Sequence, residues 1–351
     1  MKPFIDDARI RGQKALLPPA ILVEEFPQDE LTKAVVAAGR ESVEQIVKQE
    51  SDKLLAIIGP CSIHDSEAAI EYAGRLKALA DKFSGEIVVV MRAYFEKPRT
   101  IMGWKGLIND PDLDETYRIN KGLRTARSLL FEISHLGLPA GTEFLDTNLP
   151  QHIADFVSWG AIGARTTESQ VHRALASGMS MPMGFKNATD GDAQVAVEAV
   201  QSASSAHWFP SITKEGVAAI FQSSGNDCCH VILRGGTKTG PNYSAEHVGA
   251  VAQKLCKLGL PPAVMVDCSH GNSLKNHSRQ AVVAQDVATQ VASGSVDISG
   301  VMIESHLVEG RQDFVPGTAK YGQSITDACI SIEQTEPILE LLANAVRCRR
   351  G

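Results

Sequence analysis

No stretch of this 351-residue chain approaches the ~20 consecutive apolar residues that a membrane helix needs, so no membrane partner is expected. Positive charge is also short. Thirty-four Lys and Arg stand against 41 Asp and Glu, a net charge of −7, which argues against nucleic acid. An anionic ligand must then be held by a local convergence of arginine and lysine. The seven cysteines show no paired spacing and are scattered apart from Cys228-Cys229, which predicts free thiols in a reducing, cytoplasmic setting. The polar, acidic start MKPFIDDARIRGQ does not read as a secretory or transit signal. Low-complexity segments and internal repeats are absent as well. What is there is globular: 44% hydrophobic and 21% charged residues, in a length that suits one large barrel or two ordinary domains.

Residues 1–45 differ from the rest, with a charged start, a break at Leu16–Pro19 and then helical spacing in LTKAVVAAGRESVEQIVKQE. They read as an N-terminal extension packed on a larger unit of 46–351. From Lys53 onward, short β-rich runs alternate with longer helical patterns. The runs are Leu54–Gly59, Ile87–Tyr94, Pro139–Phe144, Ala161–Thr166, Pro182–Asn187, His230–Gly236, Ala263–His270 and Gly300–Ser305. Near-continuous apolar strands separated by helices mean a parallel sheet buried on both faces. A further pair, His207–Ile212 and Val217–Gln222, flanks the polar link TKEG and reads as a β-hairpin inserted before the sixth barrel strand. Without it, eight strand–helix units remain, the count of an α/β fold of the (β/α)8 TIM-barrel type. An open doubly wound sheet is the runner-up, but no glycine-rich dinucleotide loop follows the first strand.

In such barrels the active site lies at the C-terminal strand ends. Read in order, those ends carry Cys61, Arg92, Glu143, Arg165, Lys186, Arg234, His270 and Glu304. One such residue says little; eight in register are improbable as core filling. Arg92, Arg165, Lys186 and Arg234, with Lys97 and Arg99 in the loop FEKPRT, form a cationic set that is tolerable only around a multiply anionic ligand. Cys61, His270 and Glu304, joined by Asp327 in YGQSITDAC, offer sulfur, nitrogen and oxygen donors that fit a first-row divalent ion. Structural readings stand beside these. Cys61 can fill a core gap, His270 can bond to backbone, Asp327 can cap the helix that follows, Cys268 reads as inward-facing packing and His64 as a supporting residue.

The blocks GPCSIHD, YFEKPRT..GWKGLINDP, EFLD, SWGAIGARTTESQVHR, GFKN.TDG, LRGG, DCSHGN, ESHLVEG and YGQSITDAC resemble the 3-deoxy-D-arabino-heptulosonate 7-phosphate (DAHP) synthases of type I alpha, the amino-acid-regulated class. The likeness runs from DDARI and LLPP to LANAVRCRRG. It implies a metal-dependent condensation of phosphoenolpyruvate with D-erythrose 4-phosphate and water, giving DAHP and phosphate, at the start of the shikimate pathway. It implies that Arg92, Lys97, Arg165, Lys186 and Arg234 grip phosphoenolpyruvate, with Glu143 and the Gly163-Ala164 backbone nearby. Arg99 and Thr100, with Asp327, would place erythrose 4-phosphate. Cys61, His270, Glu304 and Asp327 match the ligands of a divalent ion (Mn, Fe, Co or Zn), and Lys97 or a metal-bound water would move the proton. Cys329, two residues beyond Asp327, is expected to reach Cys61 and form an inactivating disulfide when metal is absent.

The same resemblance implies an aromatic amino acid effector and a homotetramer built as a dimer of dimers, the effector site lying partly across a subunit interface. The matching positions are Asp6, Asp7, Ile10, Phe144, Gln151, Leu175, Met179, Ser180, Phe209, Ser211 and Phe221. Ser211 is serine in phenylalanine-sensitive relatives and glycine in tyrosine-sensitive ones, which favours phenylalanine and leaves tryptophan open. Thr147, Leu149 and Phe221 depart from the phenylalanine-sensitive pattern. Two rivals are weighed: a sister enzyme that takes arabinose 5-phosphate, against which the extension, the hairpin and KPRT count, and an amino acid sensor on a catalytically dead barrel, which would lack a ligand or clamp residue.

Overall fold

The apolar runs become parallel strands that close on themselves. The computed structural model describes residues 6–351. In chain order the barrel strands and hairpin are β1 (Leu54–Gly59), β2 (Ile87–Arg92), β3 (Ala140–Glu143), β4 (Val157–Ile162), β5 (Met183–Lys186), β6 (Trp208–Ile212), β7 (Ala218–Gln222), β8 (Cys229–Leu233), β9 (Val264–Asp267) and β10 (Ile298–His306). Hydrogen-bonded neighbours run β1-β2-β3-β4-β5-β8-β9-β10, and β10 returns to β1 in parallel with Leu55 opposite Gly300 and Gly59 opposite Glu304. The result is the expected eightfold barrel, which leaves its strands no free edge.

Alternation along each strand sorts the side chains. Leu55, Ile57, Val90, Trp159, Met265 and Met302 share the inner cluster, whereas Leu54, Ala56 and Ile58 face the helices. Along β9 and its flanks, Ala263 and Met265 belong to the inner set, and Cys268, just past the strand, groups with Val264 and Val266 on the helix-facing side. The expectation of an inward Cys268 is thereby corrected; the two-residue period puts Asp267, not Cys268, toward the barrel axis.

The helix Glu30–Val47 starts where the Asp29 carboxylate accepts the backbone N–H of Thr32 at 2.8 Å. Its last turn, Val43, Ile46 and Val47, joins the inner cluster and floors the barrel. These side chains are at most 3% exposed, and burying each contributes about 1.5–3 kcal/mol. The expected boundary after residue 45 therefore falls inside a helix whose end is part of the barrel's packing.

The hairpin pairs β6 with β7 antiparallel, Trp208 opposite Gln222 and Ile212 opposite Ala218, immediately before β8. One expected strand moves. Residues 161–166 read as the fourth strand, but β4 starts at Val157 and ends at Ile162, because the N–H groups of Thr166 and Thr167 both bond back to the Gly163 carbonyl at 3.0 Å. Arg165 consequently sits in a turn beyond the strand. Among the described residues no helix is long and apolar enough to cross a membrane.

Candidate active site

Cys61, Arg92, Lys97, Glu143, Arg165, Lys186, Arg234, His270, Glu304 and Asp327 all line one cavity of about 480 Å³ at the C-terminal barrel mouth, together with Arg99, Thr100, Gly163 and Ala164. The mouth has two chemically distinct sides.

On one side are the metal-ligand candidates. Donor atoms of Cys61, Glu304 and Asp327 lie within 4.8 Å of one another. His270 is outside that tight set, with its Nε2 3.7 Å from Glu304 Oε1. Between the thiol and the carboxylate sits the Lys97 ammonium, 2.9 Å from Cys61 Sγ and 2.8 Å from Asp327 Oδ2. A cation is thus already held at this point, and the thiol–carboxylate–imidazole set suits a first-row divalent ion. Burial pushes the Cys61 thiol up to about 11, with Glu304 adding to the shift. Partial desolvation raises the Asp327 carboxyl, but the charge and hydrogen bond of Lys97 outweigh it and hold Asp327 well below the usual carboxylate range. The Cys61 backbone N–H also points at Cys329 Sγ, 3.4 Å away, and both thiols are free and buried. Asp327 does not cap the following helix; Ser331 does, through the N–H of Gln334.

Arg92 is woven into this side. Only 2% exposed, it donates from Nε to the Pro60 carbonyl at 3.0 Å, and from Nη2 to the Cys61 carbonyl at 3.2 Å and Glu304 Oε1 at 3.0 Å. Its guanidinium stacks 3.6 Å over the Tyr94 ring. The turn that carries Cys61 is therefore fixed by Arg92 as well as by the Gly59-Pro60 break.

The other side is cationic. Arg165 donates to Thr100 Oγ1 at 3.1 Å, and Arg234 reaches the Gly235 carbonyl at 3.4 Å. Among the described residues neither has a carboxylate partner. Burial lowers the Arg234 pKa. Lys186 lies 3.1 Å from Asp267. A side chain at Gly163 would run into the Glu143 carboxylate, so glycine there keeps the backbone close to the cavity wall. Arg99 donates to the Trp104 carbonyl at 2.9 Å, and Thr100 sits beside it at the cavity rim.

Sequence comparison places these side chains in a family. Residues 31–340 match the DAHP synthetase I family. The chain belongs to that family. It is 56% identical over 347 residues to the Phe-sensitive phospho-2-dehydro-3-deoxyheptonate aldolase of Escherichia coli K12, covering 99% of both chains. It is likewise 56% identical over 346 residues to a phospho-2-dehydro-3-deoxyheptonate aldolase from Haemophilus influenzae, covering 98% of this chain and 95% of the other. A tyrosine-inhibited relative from Schizosaccharomyces pombe is 50% identical over 351 residues, covering 99% and 94%. The solved phospho-2-dehydro-3-deoxyheptonate aldolase from Francisella tularensis superposes with a TM-score of 0.96 at 53% identity, covering 97% of this chain and all of that one.

Within this DAHP synthetase fold, three supporting groups escaped sequence reading. Asp267, fully buried, accepts from the Ser269 N–H at 2.9 Å and hydroxyl at 2.6 Å. Its other oxygen makes ion-pair contacts with His270 Nδ1 at 2.9 Å and Lys186 at 3.1 Å. Burial would raise this carboxyl, but His270 and Lys186 hold it far below the ordinary value. The Ser269 hydroxyl, 2.7 Å from His270 Nδ1, and the Asp267 carboxylate behind it together orient the imidazole so that Nε2 faces Glu304, a typical role for the partners of a metal-ligating histidine. His270 itself holds a left-handed backbone, φ 53°, an uncommon conformation for such a residue. Gln280 pins Glu304, accepting its N–H at 2.8 Å and donating to its carbonyl at 2.9 Å. Glu96 is the third. A polar residue at an inward strand position, as Asp267 is, was the available signal; Gln280 and Glu96 offered none. His64 does not line the cavity; its ring lies edge-on 6.3 Å from that of His306.

Of the expected effector positions, Phe209 and Phe221 stack across the hairpin at 6.1 Å, and Ser211 pairs with Ala219. Leu175 and Phe144 are buried, Met179 packs on the same cluster, Ser180 follows it, and the Gln151 carbonyl accepts Lys214 Nζ at 2.6 Å. Asp6, Asp7 and Ile10 lie exposed, Ile10 at 59%.

Proposed function

We propose that this protein condenses phosphoenolpyruvate with D-erythrose 4-phosphate and water to give DAHP and inorganic phosphate, as a cytoplasmic enzyme under feedback by an aromatic amino acid. The observation that carries the reading is a single cavity in which unpaired guanidinium groups face a thiol–carboxylate donor set, in a chain of this family. Cys61, His270, Glu304 and Asp327 would hold a divalent ion, which when bound would supply Lewis acidity toward the acceptor aldehyde. Arg165, Lys186 and Arg234 grip the phosphate and carboxylate of phosphoenolpyruvate, and the Gly163-Ala164 backbone borders them. Arg99 and Thr100 hold the acceptor's phosphate. Fixing two mutually repelling anions against each other removes much of the entropic barrier. The methylene carbon of phosphoenolpyruvate bonds to the aldehyde carbon, a water oxygen adds at the enol carbon, and the C–O bond to phosphate breaks. Lys97, adjacent to the thiol and Asp327, is placed to deliver a proton to the new hydroxyl oxygen.

The effector is phenylalanine, on the Ser211 signature, bound among the hairpin, the helix Gln170–Ser177 and the N-terminal segment of a neighbouring subunit, in dimers that pair into a tetramer. On this reading residues 1–45, apart from the end of the Glu30–Val47 helix that floors the barrel, form the regulatory and interface extension and 46–351 the catalytic unit, with the hairpin at about 207–222. Mixing both substrates with Mn²⁺ and measuring phosphate release, with and without chelator, tests the chemistry. Inhibition by phenylalanine, tyrosine and tryptophan in parallel tests the effector; stronger inhibition by tyrosine would sink the assignment.

A further inference from the structure

Glu96 is a buried acid, 6% exposed, that borders the cavity but has no role in the chemistry above. Its carboxylate accepts the backbone N–H of Leu145 on one oxygen at 3.2 Å and that of Asp146 on the other at 3.2 Å. Among the described residues it has no cationic partner. Burial pushes it up to about 8. A desolvated carboxyl without a counter-charge is unfavourable, and these two backbone N–H contacts are what offset that cost.

The segment it sits on explains what they do. Residues 95–97 are the base of the loop carrying Arg99 and Thr100. The Lys97 N–H bonds to the Lys105 carbonyl at 2.8 Å, and that of Ile108 to the Phe95 carbonyl at 3.3 Å. Gly106, at φ 111°, lets the returning chain press onto the Phe95 carbonyl and Glu96, where a Cβ could not fit. Successive residues on this extended base point opposite ways: Lys97 toward Cys61 and Asp327, Glu96 toward the chain after β3. That receiving chain is itself fixed, because the Leu145 carbonyl makes a 2.8 Å hydrogen bond with His172 Nε2 and the Phe144 N–H bonds to the Ala161 carbonyl at 3.0 Å.

Resting on the proposed reaction, we propose that Glu96 is a positioning residue that clips the Lys97–Lys105 loop to the Leu145–Asp146 backbone, and so sets the acceptor-binding side of the cavity without touching substrate. The clip acts most directly on Arg99 and Thr100; Arg165 meets this loop through Thr100 Oγ1 at 3.1 Å, whereas Lys186 and Arg234 stand on other strands. Losing it therefore weighs more on the acceptor than on phosphoenolpyruvate. Glu96→Ala raises KM for erythrose 4-phosphate about tenfold, the scale of two lost hydrogen bonds of ~0.5–1.5 kcal/mol each, and raises KM for phosphoenolpyruvate less. Glu96→Gln, which keeps one acceptor oxygen and the side-chain shape, falls between. A substrate-free arm stands apart from the chemistry. Amide hydrogen exchange over residues 97–105 quickens in both variants, with the barrel strands unchanged. If Glu96→Ala fails to fold, Glu96→Gln carries both readouts with the same signs. Unchanged exchange in this loop, or equal rises in both KM values, overturns the clip. If wild-type protein forms no product, the proposed reaction fails while the exchange arm still decides the role of Glu96.

Discussion

The two sides of the barrel mouth meet the same problem, buried charge, in opposite ways. Around β1, β10 and the C-terminal loop the charges cancel internally: Lys97 lies against Cys61 and Asp327, and Arg92 against Glu304. Around β4 and β8 they do not, since among the described residues Arg165 and Arg234 face the cavity with only a hydroxyl or a carbonyl as partner. A self-neutralised cluster can exchange one cation for another. An unbalanced one is completed only by an anion. The difference teaches where each kind of ligand goes, before any ligand is considered.

Substitutions on each side should give separable defects. The largest effect falls on the thiol side. Cys61→Ala abolishes chelator-sensitive phosphate release while the melting temperature stays near that of wild type, and full activity with added metal would break the assignment. Next, Arg165→Met raises KM for phosphoenolpyruvate about 10- to 100-fold, as expected for a charged hydrogen bond of ~1.5–3 kcal/mol, without altering metal affinity. If metal affinity falls in parallel, the two sides are not independent. Asp267 contacts both sides, so Asp267→Asn should weaken metal binding by about 10- to 100-fold and also disturb Lys186, a mixed phenotype readable by calorimetric metal titration beside steady-state kinetics.

How far the sequence showed this division depends on the residue. The strand ends were legible because both faces of each parallel strand are apolar, so the first charged residue marks the mouth. Arg165 was found by that rule although its strand ends earlier, because the turn at Gly163 keeps it at the same rim. Gln280 and Glu96 were not legible: each is defined by a backbone group 24 or about 50 positions away, and neither has a composition cue. The end of the Glu30–Val47 helix looked like part of an appendage, since helical spacing does not say that the apolar stripe will floor a barrel.

Two smaller effects sharpen the picture below and beside the mouth. His230, buried in the barrel and accepting from Trp159 Nε1 at 3.2 Å, has its pKa lowered by burial to about 4. Because the folded value lies below the unfolded ~6.5, the stability of the neutral form is full above pH 6.5 and is lost as pH falls toward 4, by about 3 kcal/mol. Urea midpoints at stepped pH check this; no loss across that window would contradict it. In metal-free aerated protein, Cys61 and Cys329 should join in a disulfide, seen as the loss of two hydrogens in the intact mass, and both thiols remaining free would count against it.

The most direct measurement is release of inorganic phosphate from phosphoenolpyruvate by the purified enzyme, with erythrose 4-phosphate and divalent metal each added or withheld. Release only when both are present, stopped by chelator and restored by metal, is the predicted result. Release that ignores the chelator, or that proceeds without the aldose, would contradict a mouth built from one cation-exchanging side and one anion-completing side.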